Sequence, residues 1–274
     1  MNKERIAENF GKAAFKYDES AALQRQIGEC LWQQMEKRCF DSINSGKFSL
    51  LDLGCGSGYF SEKLRDKTTG ELIGLDIAPG MLFRAMQRSS VKNNSFFLNA
   101  DAEQLPLKNA SVDVVFSNFA LQWCESLKRA LEESLRILKP GGCLGFSIPI
   151  SGTLLELQES WQEVDNYSHV NSFFSENEVR KLLSEITKHK SNSGLIETQF
   201  SSYHCANYYD TFKDVLKDLK HIGANTLKGS RNKGLMGKAR FATLEKNYEQ
   251  FRQELGLPVT YSVLNVVVKN LVDE

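Results

Sequence analysis

Apolar positions recur along the chain at two different periods. Ile6, Phe10, Ala13, Ala14 and Tyr17 fall near helical spacing, and Leu23, Ile27, Leu31 and Met35 line one face of a second helix over 21–40. Residues 1–45 therefore read as helical, with a loop signal at Asn44-Ser45-Gly46-Lys47. From residue 48, short apolar runs alternate with helical stretches. The runs 48–53, 71–77, 95–100, 112–117 and 143–148 predict five strands, and 59–66, 79–88 and 126–138 predict helices. Pro79 suits a first helical turn, and Pro140-Gly141-Gly142 predicts an abrupt stop for the third of these helices. Strands separated by helices wind into right-handed β-α-β units, so 48–150 reads as an α/β segment with a parallel sheet covered on both faces. Beyond residue 150 the pattern loosens. Helices are expected at 154–164, 175–186, 209–222 and 238–255, a strand at 197–204, and a β-branched last strand at 259–268.

Composition narrows the classes without choosing among them. The chain has 274 residues, 41% hydrophobic and 25% charged, which is globular. Thirty-four basic residues balance 34 acidic ones, so a protein gripping a polyanion along its whole face is not expected. The longest uncharged stretch, Pro140 to Leu155, has sixteen residues with two prolines and four glycines, and is no membrane span. Met1-Asn2-Lys3-Glu4-Arg5 leads into no apolar run, so no signal peptide is expected and the protein reads as cytoplasmic. Cys30, Cys39, Cys55, Cys124, Cys143 and Cys205 include no C-x-x-C pair and read as six reduced thiols. His169, His189, His204 and His221 form no metal-binding pattern, so no metal is expected.

The strongest chemical signal is Leu51-Asp52-Leu53-Gly54-Cys55-Gly56-Ser57-Gly58, which follows the first strand and opens a helix. Glycine there admits positive φ and a close approach of ligand to backbone. In an open parallel sheet, ligands lie beyond the carboxyl ends of the strands. Glycines at 54, 56 and 58 followed by Tyr59 break the dinucleotide fingerprint, and no G-K-[ST] follows for a P-loop. Asp52 and Asp76, at the first two strand ends, fit a positively charged nucleoside. Asp76 can accept both ribose hydroxyls. Asp101, with Ala102, can meet an adenine amino group, and Ile77 and Met81 can cover the ring. The plainer readings are turn glycines, a capping Asp76 and a turn aspartate at 101. Their register with successive strands favours the ligand.

This arrangement resembles the class I S-adenosylmethionine-dependent methyltransferases. The resemblance implies one domain with a Rossmann-like doubly wound sheet, mostly parallel with an antiparallel last strand. Residues 1–45 would be a helical lid, 48–150 the cofactor-binding core, and 151–274 a helical substrate cover with the terminal strands. It implies S-adenosylmethionine as methyl donor and S-adenosylhomocysteine as product. Gly54, Cys55, Gly56 and Gly58 would meet the methionine part beside Asp52, Asp76 the ribose and Asp101 the adenine. Asn118 would face cofactor and substrate, and Tyr17, on the lid, would touch cofactor, substrate or both.

A narrower resemblance covers nearly the whole chain. Phe10-Gly-Lys-Ala-Ala-Phe-Lys-Tyr17 with Leu23-Gln24-Arg25, and Ser117-Asn118-Phe-Ala-Leu-Gln122-Trp123-Cys124, resemble the malonyl-[acyl-carrier protein] O-methyltransferases of biotin synthesis, the BioC family. So do His169-Val-Asn171-Ser-Phe173 and Leu219-Lys220-His-Ile222-Gly223-Ala224. The resemblance implies methyl transfer to the free carboxylate of a malonyl thioester, carried by an acidic acyl-carrier protein or by coenzyme A. No nucleic acid and no membrane partner is implied. Tyr17, Gln122, Trp123, Asn171, Phe173 and Lys220 become candidate substrate contacts. A carboxylate ionised at neutral pH needs no general base, so alignment is expected to carry the reaction. Residues 227–240 hold five cations and no acid, which suits docking of an acidic carrier and equally a solvated mobile loop. Three alternatives stand beside this reading. The first is a class I methyltransferase for another small molecule, such as a quinone precursor or other carboxylic acid. The second is a nucleic-acid methyltransferase, disfavoured because no proline follows Asn118. The third is a non-enzymatic binding module, disfavoured by the intact Asp52, glycine and Asp76 set.

Overall fold

The computed structural model describes residues 3–39, 46–88, 94–165, 167–188, 196–221 and 237–271. Two helices open the chain, α1 (Lys3–Ser20) and α2 (Ala22–Cys39). The alternating segment follows as β1 (Leu50–Leu53), α3 (Tyr59–Arg65), β2 (Leu72–Asp76), α4 (Pro79–Arg88), β3 (Ser95–Asn99), β4 (Val112–Asn118), α5 (Leu127–Ile137) and β5 (Leu138–Pro149). Then come α6 (Leu155–Gln162), α7 (Glu176–Lys188), β6 (Ile196–Tyr209), α8 (Phe212–His221), α9 (Lys238–Glu249) and β7 (Leu257–Asn270).

The strands form one sheet in the order β3-β2-β1-β4-β5-β7-β6. The first five are parallel. β7 runs antiparallel to both β5 and β6, so the expected antiparallel last strand lies between them and β6 takes the edge. β1 is buried throughout, as its near-continuous leucines predict for a parallel strand covered on both faces. Alternate side chains feed two cores. Leu51, Leu53, Val115 and Leu144 pack with Leu131 and Leu135 of α5 and Leu183 of α7. Leu50, Val114 and Phe116 pack with Leu31 and Met35 of α2 and Leu64 of α3. A third core joins Leu23 and Ile27 of α2 to Trp161, Phe212, Leu244 and Val263, so α6, α8, α9 and β7 clamp α2 from the far side.

Three expectations are corrected. β5 starts at Leu138 directly after α5, and Pro140-Gly141-Gly142 lies inside it beside a register shift at Val112/Val114, with Gly141 at φ +79°. The helix stops as expected, at Ile137, but the strand expected at 143–148 starts at Leu138, and the glycines make its start irregular. β6 and β7 pair over fourteen residues, from Ile196↔Asn270 to Tyr209↔Leu257, well beyond the apolar runs that announced them. Cys39 and Cys143 form a disulfide, against the expectation of six reduced thiols. Packing of α2 over β5 brings these buried residues, 104 apart in sequence, to a Cα separation of 5.9 Å. Among the described residues, no helix is long and apolar enough to cross a membrane. Residues 44–45 of the expected loop, Ile222-Gly223-Ala224 and residues 227–236 of the basic run lie outside the described residues.

Candidate functional site

The carboxyl ends of β1 to β4 open into a cavity of about 780 Å³, with α1 as its roof. α1 presents Ile6, Phe10 and Tyr17 to this cavity, because the helical repeat puts them on one face. Lys3 pins the first turn of α1 to the cavity rim, with Nζ 2.6 Å from Asp101 and 2.9 Å from Glu103.

The glycine turn after β1 forms the floor. Gly54 has φ +74°, and a Cβ there would come within 2.2 Å of the Ala120 Cβ, so only glycine fits. Gly56 has φ +54°, and a Cβ there would enter open space. Backbone and ligand can thus meet closely at Gly56. Gly58 serves differently. It caps α3, and a Cβ there would strike Ala85 of α4 at 2.7 Å, so its bareness allows two helices to pack.

Asp76 ends β2 at the cavity wall. Its carboxylate accepts from the Gly56 N–H at 2.9 Å and the Ala78 N–H at 2.8 Å, which fixes both oxygens while leaving lone pairs for a diol. Burial raises its pKa, and these backbone donors oppose the rise. Asp101, past β3, accepts from the Glu103 N–H at 2.9 Å. Ile77, Met81 and Ala102 supply the apolar wall between the two carboxylates. Asn118 ends β4, donates to the Gln24 carbonyl at 2.8 Å and accepts from Ser147 Oγ at 2.7 Å.

Two further cavities adjoin the first. One, of about 430 Å³, lies between the glycine turn and the α1–α2 junction and includes Asp52, Cys55, Arg25 and Gln24. Asp52 is 2% exposed and accepts from Ser61 Oγ at 2.6 Å. Burial, followed by the charge of Asp76, pushes its pKa up to about 7 against that hydrogen bond. Burial likewise holds the Cys55 thiol protonated. The other cavity, of about 630 Å³, is lined by Gln122, Trp123, Asn171 and Phe173, together with Gln24 and Tyr261. Phe10 and Trp123 meet edge to face at 5.2 Å between this cavity and the first. Tyr17 lines all three cavities. Burial, then Asp76 and Asp18, push its phenol up to about 12.

The structure thus gathers Tyr17, Asp52, Gly54, Cys55, Gly56, Asp76, Ile77, Met81, Asp101, Ala102 and Asn118 around two joined cavities, and Gln122, Trp123, Asn171 and Phe173 around the third. Gly58 and Lys220 are not brought in, and Lys220 is exposed on α8. Lys3, Gln24, Phe119 and Tyr261 also line these cavities, though none is among the expected site residues. Gln24 carried a legible signal, a polar residue in helical register with buried Ile27 and Leu31. Phe119 lines two cavities from a left-handed backbone, φ +50°, which no sequence pattern reveals for a non-glycine residue. The donor set fits an adenosyl sulfonium. Carboxylate acceptors stand at the ends of β2 and β3, a Cβ-sized opening lies over Gly56, and a buried carboxyl stands beyond it.

Residues 51–146 match the methyltransferase-domain family. Over 266 residues the chain is 37% identical to the malonyl-[acyl-carrier protein] O-methyltransferase of Serratia marcescens, covering 96% of each protein. It is 34% identical over 268 residues to the biotin biosynthesis bifunctional protein BioHC of Cellvibrio japonicus, covering 98% of this chain and 50% of that one. Among solved structures, the YcgJ protein of Bacillus subtilis shares the fold with a TM-score of 0.59 at 17% identity, covering 89% of this chain and 98% of that one.

Proposed function

The chain belongs to the malonyl-[acyl-carrier protein] O-methyltransferase family, and from that premise we propose how its cavities divide the reaction. The activity is methyl transfer to the free carboxylate of a malonyl thioester, giving the ester that enters biotin synthesis. S-adenosylmethionine, when bound, supplies an electrophilic methyl group. Asp76 holds the ribose hydroxyls, Asp101 accepts from the adenine amino group, and Ile77 and Met81 flank the base. Asp52 faces the ammonium of the amino-acid end and Arg25 its carboxylate. The malonyl group, on an acyl-carrier protein or coenzyme A, enters the cavity of Gln122, Trp123, Asn171 and Phe173.

The observation that carries this reading is the position of Tyr17, a wall shared by all three cavities. Donor and acceptor ends therefore converge on one side chain. No proton needs to be removed, because a malonyl carboxylate with a pKa near ~4 is already ionised. The Tyr17 phenol, at about 12, stays protonated and serves as a neutral wall and hydrogen-bond donor. Alignment of the acceptor oxygen at near-attack distance can supply ~7–11 kcal/mol of the barrier reduction. The test is incubation with isotopically labelled S-adenosylmethionine and malonyl-acyl-carrier protein, with mass analysis of the carrier. One methyl group on the malonyl carboxyl is expected; label on another atom, or none, refutes the reading.

A further inference from the structure

The acceptor cavity is lined by neutral side chains: among its described lining residues none is Lys, Arg, His, Asp or Glu. Its polar side-chain groups are amides, phenols and the Trp123 indole N–H. Three polar atoms there are buried without a hydrogen-bond partner: Gln24 Oε1, Gln122 Oε1 and the Tyr261 hydroxyl. Buried polar groups are normally satisfied, so three orphans around one cavity mark a polar ligand. They differ in freedom. Gln122 already donates from Nε2 to the Phe119 carbonyl at 2.6 Å, which fixes its amide. Among the described residues the Gln24 side-chain amide makes no hydrogen bond, so a half-turn that exchanges its oxygen and nitrogen breaks none and presents N–H to the cavity. Gln24 is 8% exposed and lines both the acceptor cavity and the compartment of Asp52 and Arg25. It therefore stands at the boundary across which the methyl group must pass.

We propose that the Gln24 amide is the carboxylate-recognition group of the acceptor cavity, donating an N–H to the free carboxylate of the malonyl thioester. This rests on the methyl-transfer reading above and deepens it. In the transfer, a carboxylate lone pair forms the O–CH₃ bond while the S–CH₃ bonding pair returns to sulfur, and no proton moves. The acceptor loses its negative charge on the way. A guanidinium at Gln24 would hold the charged start more strongly than the transition state and slow the step. A neutral amide fixes direction with less of that penalty, and it holds the uncharged ester product less firmly than the carboxylate.

The test compares wild type with Gln24→Ala and Gln24→Glu, using malonyl-CoA and acetyl-CoA as ligands of the S-adenosylhomocysteine complex and malonyl-CoA as methyl acceptor. Retained S-adenosylhomocysteine binding and a cooperative melt show that each variant is folded. Wild type is expected to bind malonyl-CoA more tightly than acetyl-CoA. Gln24→Ala should shrink that preference by about 10- to 100-fold. Gln24→Glu, equal in size, should abolish the preference at pH 7.5 and regain part of it as the introduced carboxyl protonates toward pH 5. A preference unchanged within about twofold in Gln24→Ala, beside an active wild type, overturns the role of Gln24 alone. A wild type that methylates no malonyl thioester overturns the underlying reading together with this one.

Discussion

Replacing Asp52 by asparagine removes a proton-release event expected when S-adenosylhomocysteine binds. In the free protein, burial and the neighbouring Asp76 raise the Asp52 carboxyl to about 7, against the Ser61 hydrogen bond. A ligand ammonium beside it favours the ionised form, so its pKa falls on binding and a proton leaves. At pH 6 a group titrating at 7 is about 0.9 protonated, and at pH 8 about 0.1. Binding should therefore release about 0.9 proton at pH 6 and about 0.1 at pH 8, with affinity rising up to ~10-fold per pH unit below 7. The sign for stability is opposite. The folded pKa lies above the ordinary 3.8, so this contribution to the free protein is full below pH 4 and is lost as pH rises through about 7. Three units correspond to an upper bound of about 4 kcal/mol. Calorimetry in buffers of different ionisation enthalpy measures the protons directly. Subtracting the Asp52→Asn titration removes contributions from the ligand's own amine. Equal proton release in wild type and Asp52→Asn at pH 6 would refute the placement of the ammonium at Asp52.

Gly56→Ala should cost about 1 kcal/mol through its positive φ. Its affinity for S-adenosylhomocysteine should fall at least ~10-fold, because the added methyl enters the opening a ligand must fill; a melt combined with calorimetry separates the two effects. Lys3→Ala removes the ion pairs to Asp101 and Glu103, which are partly exposed, so stability should change by less than ~1 kcal/mol. Stopped-flow release of S-adenosylhomocysteine should accelerate about 2- to 5-fold, and high salt should produce the same change in wild type. Denaturation without reductant followed by alkylation should label four of the six cysteines, Cys39 and Cys143 being protected, and all six after reduction. Six labels without reductant would remove the disulfide.

What could be read in advance follows from how local each determinant is. The placement of Asp76 and Asp101 at the cavity was legible because each directly follows an apolar run, and a parallel strand delivers its carboxyl end to the edge where the cavity opens. The glycines were legible as a group but not one by one. Gly54 and Gly56 line the cavities, whereas Gly58 answers to Ala85, a partner 27 positions away. Sheet order was hidden because β7 enters between β5 and β6, a placement set by which faces can pack and not by chain order. Cys39 and Cys143 likewise meet only because α2 crosses β5. Lys220 matched a family segment, yet its helix turns it outward, while the cavity draws on Tyr261 of β7, whose β-branched surroundings read only as strand.

The charges divide among the compartments as a transfer between opposite ions demands. Asp52, Asp76 and Asp101 surround the space assigned to the cationic donor. The acceptor cavity beyond Tyr17 has amides and aromatic rings instead. Carboxylate and sulfonium both lose charge in the transition state, so a cation at the acceptor would favour the ground state. Low polarity around the acceptor strengthens the attraction between the two reactants at close range. Geometry must then do the remaining work, and it depends on α1. Phe10 closes on Trp123, Tyr17 closes the junction, and Lys3 holds the first turn of the helix to Asp101. A rate enhancement built on alignment should be sensitive to anything that loosens this helix, even where the substitution touches neither reactant.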